Sequence, residues 1–110
     1  MNENILNGFK EYLLRSKSFS DNTVESYDRD IKKILAYLEE GGYDLENYNW
    51  LNEPFVIEYI DYLKDNKYSS ATLSRTISTI HGFIDYLYEE KIISDRININ
   101  IKIDKKKKTN

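Results

Sequence analysis

Apolar residues recur at spacings of three and four through four stretches of this chain, the period of helices that bury one side. The most regular stretch is Ser69 to Glu90, SSATLSRTISTIHGFIDYLYEE, in which Leu73, Ile77, Ile80, Ile84 and Leu87 form a single stripe. Ser69 or Ser70 is suited to cap it, because a short hydroxyl side chain accepts from a backbone N–H that has no partner in the first turn. The opposite face carries Ser74, Arg75, Ser78, Gly82, Asp85 and Glu89, with His81 on its shoulder. Its N-terminal half is small and polar, so another large surface could approach closely. Any solvated face of a bundle helix has the same look.

Three further helices precede it. The first is predicted from Glu3 to Ser16, with Ile5, Leu6, Phe9, Tyr12 and Leu13 on one side. Gly8 should weaken it by about 1 kcal/mol relative to alanine. Lys17, Ser18 and Phe19 connect to a second helix capped by Ser20, whose first turn holds Asp21, favourable at the positive end of the helix dipole. Val24, Tyr27, Ile31, Ile34, Leu35 and Leu38 make its stripe, and Gly41-Gly42 ends it. A polar loop from Tyr43 to Leu51 should be anchored by Trp50. Asn52 caps a third helix, with Pro54 tolerated in its first turn and Phe55, Val56, Tyr59, Ile60 and Leu63 buried.

One echo runs through the chain. At an offset of 49 positions Ser20 matches Ser69, Thr23 matches Thr72, Ile31 matches Ile80, and Tyr37-Leu38 matches Tyr86-Leu87. We read it as two helices built by the same rules, not as a solenoid repeat. After Lys91 the period changes. Ile97, Ile99, Ile101 and Ile103 alternate with Asn98, Asn100 and Lys102, the spacing of extended chain. Such a segment either lies across the bundle or begins a connection to something else.

Composition narrows the picture. One small domain fits 110 residues. There is no cysteine, the single histidine, His81, excludes a histidine pair for a metal, and no Cys/His or Ser/His/Asp set stands out. Asp28 and Asp30, like Glu89 and Glu90, read as surface charges of helices. No glycine-rich phosphate loop occurs, so nothing points to catalysis or to a cofactor. No apolar run approaches membrane-spanning length and no signal-peptide pattern opens the chain, so a soluble cytoplasmic protein is expected. The charge is uneven: residues 102–110 carry +4, which leaves −7 on residues 1–101 within a total of −3. An acidic body argues against a broad nucleic-acid surface. The lysines Lys105, Lys106, Lys107 and Lys108 are either a solvated run or a source of phosphate attraction.

The run FKEYLLRSKSFSDNTVESYDRDIKKILAYLEE resembles the opening of phage and bacterial tyrosine recombinases of the Xer type, with Lys17, Ser20, Thr23, Tyr27, Asp30, Ile31, Tyr37 and Leu38 at the motif positions. YSSATLSRTISTIHGFIDYLYEEKII is similar to the fourth helix of the same family through Thr72, Arg75, Ser78, His81, Phe83, Tyr86 and Leu87, and NIKIDKKKK resembles its interdomain linker. The resemblance implies an all-α, four-helix SAM-like orthogonal bundle over residues 1–95, a core-binding domain, with residues 96–110 as an extended linker and basic tail toward a separate catalytic domain. It implies double-stranded DNA at a recombination site as partner, met in the major groove by helices two and four, together with other recombinase protomers. The family's catalytic arginines, lysine, His-x-x-Arg and tyrosine belong to the other domain. On this chain DNA contact would fall to Lys17, Thr23, Arg29, Lys33, Ser74, Arg75, Ser78 and His81, and to the tail lysines.

Arg75 suits a base edge, because its fork can bond guanine O6 and N7 together. It equally suits a nearby carboxylate. Thr23 also fits a role confined to its helix cap, and His81 one confined to the helix shoulder. The family commonly has arginine where His81 stands, a basic residue where Asp28 stands, and Asn-Pro where Arg96-Ile97 stands, so weak binding is expected. The alternative function is an acidic all-α protein-interaction module that does not touch DNA.

Overall fold

The computed structural model describes residues 3–101. Its four helices are α1 (Glu3–Ser16), α2 (Asp21–Glu40), α3 (Glu53–Asp65) and α4 (Ser70–Glu89), and no strand occurs among the described residues. Each predicted cap is in place. Ser20 Oγ accepts from the Thr23 N–H and Ser69 Oγ from the Thr72 N–H, both at 3.2 Å, and Asn52 Oδ1 accepts from the Phe55 N–H at 3.0 Å. Each cap serine also donates to the hydroxyl of its threonine. The echo therefore has a structural counterpart: α2 and α4 are of equal length and open on the same cap.

The exits share a second device. Tyr43 N–H bonds Leu38 O, Tyr68 N–H bonds Leu63 O, and Ile92 N–H bonds Leu87 O; the residue before each donor closes a second bond, to Glu39, Lys64 and Tyr88. This paired closure needs a left-handed residue just past the helix. Gly42 supplies it after α2, with φ 78°, but Lys67 (69°) and Lys91 (60°) do so after α3 and α4.

α4 is the central element. Its predicted stripe is buried throughout, and burial extends to Thr76, Thr79, Gly82, Phe83 and Tyr86. Gly82 is thus not on the polar face as predicted: a Cβ there would lie 3.6 Å from the Tyr27 ring, so α2 packs against it. From α1, Phe9 meets Phe83 edge-on at 5.2 Å. The Tyr86 hydroxyl donates to Ile5 O at 3.0 Å, above Gly8. Trp50 is buried and packs edge-on against Phe55, as the loop required.

Beyond α4 the chain crosses the bundle as far as it is described. Arg96 pairs with Asp85, Ile99 enters the core, and the Asn100 N–H donates to Glu53 Oε2 at 3.0 Å. Ile103 and Lys105 to Lys108 lie outside the described residues.

Candidate nucleic-acid interface

α2 and α4 run side by side in opposite directions. Lys33 meets Tyr68 just before α4, Asp30 meets Arg75 and Thr79, and Tyr27 lies against Gly82. The pairing follows from spacing: Tyr27, Asp30 and Lys33 are three apart on α2, while Arg75, Thr79 and Gly82 are four and three apart on α4, so each set lines one face.

Asp28 and Asp30 correct the sequence reading. Both are buried, at 4% exposure, and neither is an ordinary surface charge. A buried carboxylate is tolerated when its oxygens are paired and hydrogen-bonded. Asp28 takes Lys32 Nζ at 2.9 Å. Asp30 takes three bonds, each at 2.9 Å: Arg75 Nε and Thr79 Oγ1 on Oδ2, and Arg75 Nη2 on Oδ1. The bond to Asp30 pushes the Arg75 guanidinium further above its ordinary range, against the effect of its partial burial. Arg75 thus has the carboxylate partner that the sequence left open, while its side chain stays 41% exposed.

The other cations differ in how their charge is balanced. Lys17 lies 3.5 Å from Asp85, which also holds Arg96. Lys33 Nζ instead donates to the Tyr68 hydroxyl at 3.2 Å and sits 4.3 Å from its ring centroid. Among the described residues, Arg29 reaches only the Ser26 hydroxyl, at 3.5 Å. Arg29 and Lys33 are therefore held by neutral groups, and neither has a carboxylate partner among the described residues. Ser74 is half-buried and Ser78 exposed beside Arg75. Burial pushes the Tyr27 hydroxyl up, Asp30 adds to this, and a bond with Ser78 opposes it.

The structure thus brings Arg29, Lys33, Ser74, Arg75 and Ser78 onto adjoining surfaces of α2 and α4. Thr23 stays in the α2 cap, Lys17 joins the Asp85 pair, and exposed His81 borders a recess with Asp85, Arg96 and Asn98. Thr79 and Tyr68 were missed, and Asp30 and Tyr27, named as motif positions, were given no role at the site. For Asp30 a signal existed: it stands three residues after Tyr27 and four before Ile34, at the edge of the buried stripe. Among the described residues no group of three or more His, Cys, Asp or Glu side chains could hold a metal ion, and no helix is long and apolar enough to cross a membrane.

Residues 6–91 match the family described as phage integrase, N-terminal SAM-like domain. Over 109 residues the chain is 35% identical to a candidate tyrosine recombinase of Caldanaerobacter subterraneus subsp. tengcongensis, covering 96% of this chain and 37% of that protein. It is 31% identical over 106 residues to tyrosine recombinase XerD of Oceanobacillus iheyensis, covering 96% and 35%. With a tyrosine recombinase of Pseudothermotoga lettingae it shares 36% over 87 residues, covering 77% and 29%. The chain spans about a third of the length of these relatives. No solved structure gives a significant match.

Proposed function

Because the chain belongs to the phage integrase N-terminal SAM-like domain family, we propose that it is the DNA-binding module of a site-specific tyrosine recombinase and grips duplex DNA through α2 and α4. The observation that carries this reading is the pair Arg29 and Lys33. In a body of net charge −7, they keep uncompensated charge beside the small polar surface of Ser74 and Ser78. Phosphates are the natural partners of such cations, since each neutralised phosphate releases condensed counterions. Strand cutting and joining fall to a catalytic domain of such a recombinase, which would act with other protomers on the same site.

Fluorescence anisotropy with a labelled random-sequence duplex at low salt tests the proposal. Wild type should bind, and Arg29→Ser with Lys33→Ser should weaken binding and lower the salt slope by about 0.9 for each phosphate no longer neutralised. A folded chain that ignores every duplex at low salt would overturn it. That outcome would favour a protein-interaction module, a reading supported by the apolar side chains that α3 exposes, Ile57 at 50% and Tyr62 at 42%.

A further inference from the structure

We infer that Asp30, assisted by Thr79, is a positioning residue that makes Arg75 a reader of guanine; this rests on the reading of α2 and α4 as the DNA-facing elements. The clamp engages Arg75 through Nε and Nη2, one side of the guanidinium. The other edge still has N–H donors on Nη1 and Nη2, on a side chain that remains substantially exposed. Two parallel donors match guanine, whose O6 and N7 both accept in the major groove; adenine would set its N6 donor against one of them.

Two consequences of the clamp favour a base over a phosphate. The Asp30 charge lies against the guanidinium, so the pair is close to neutral and has little to gain from a phosphate. It keeps its full hydrogen-bonding capacity toward an uncharged base edge. The bidentate contact also fixes the plane of the guanidinium, and Thr79, one turn along α4, holds the carboxylate in turn. Rotamer freedom that an unsupported arginine would lose on binding has already been lost on folding. The division of labour on this surface is then explicit: Arg29 and Lys33 hold phosphates, and Arg75 reads.

Arg75→Ala is a poor probe, because it leaves Asp30 buried without its cation. The test uses the duplex that wild type enriches from a randomised pool, with each guanine replaced in turn by 7-deazaguanine, which lacks the N7 acceptor. Wild type should lose about tenfold in affinity at one guanine. Arg75→Lys keeps the charge without the fork, and should bind the parent and that 7-deaza duplex equally. Asp30→Asn, checked for folding by circular dichroism, frees the Arg75 charge; it should lose the same discrimination while binding random duplexes at least as tightly as wild type, with a steeper salt slope. A merely structural Asp30 would weaken all duplexes alike and leave the slope unchanged, and that result overturns the proposal. So does a selected duplex on which no 7-deaza replacement matters. If Asp30→Asn does not fold, Arg75→Lys decides alone: retained discrimination overturns the proposal. Failure of wild type to bind any duplex overturns the DNA-binding reading itself.

Discussion

Gly8 shows how a residue can contradict its own propensity. In an isolated helix, alanine would be the better residue by about 1 kcal/mol. In the bundle, a Cβ at Gly8 would stand 2.2 Å from the Tyr86 hydroxyl oxygen and 3.1 Å from the ring carbon bearing it. That ring is wedged among Phe9, Tyr12 and Phe83, so it has little room to retreat. Gly8→Ala should therefore destabilise the protein, by about 1–3 kcal/mol, and by less in a Tyr86→Phe background, where the closest clash is gone. Urea midpoints of the four-member cycle measure this, and a stabilised Gly8→Ala single variant would refute it. The same limit on local reading explains Asp28, Asp30 and Gly82. Whether a side chain is buried depends on what packs over it, and the partners of Asp30 stand 45 and 49 positions away. The sequence named the type of Arg75's alternative partner but not which carboxylate it was.

Helix starts were legible because a cap is local: Ser20, Asn52 and Ser69 each bond an N–H three residues on. Ends were less so. Gly42 announces its left-handed turn, whereas Lys67 and Lys91 adopt the same conformation without a sequence signal. A non-glycine residue in that region costs about 1–2 kcal/mol, partly offset because glycine loses more backbone entropy on folding. Lys91→Gly and Lys67→Gly should each stabilise the fold, by roughly 0.5–1 kcal/mol. Thermal or denaturant unfolding gives the sign, and a loss of stability in both would contradict the closure described for α3 and α4.

At the scale of the whole molecule, the proposed reading sets an acidic body against a polyanion, so the placement of each cation matters more than the total. Five lysines stand between positions 102 and 108, and a run of like charge supplies phosphate attraction without base readout. Removing residues 104–110 should weaken binding to selected and random duplexes by the same factor and flatten the salt dependence. Titrations at several salt concentrations would show it, and a loss confined to the selected duplex would assign sequence reading to the tail. The order of the helices has a further consequence, for synthesis. Tyr86 bonds Ile5 across 81 positions, and Phe9 packs against Phe83. As the chain leaves the ribosome, α2 can shield part of α1, but the side meant for α4 must wait while about 70 more residues are added. At about 5–20 residues per second that wait is roughly 4–15 s, during which Phe9 is open to any chaperone that binds exposed apolar side chains.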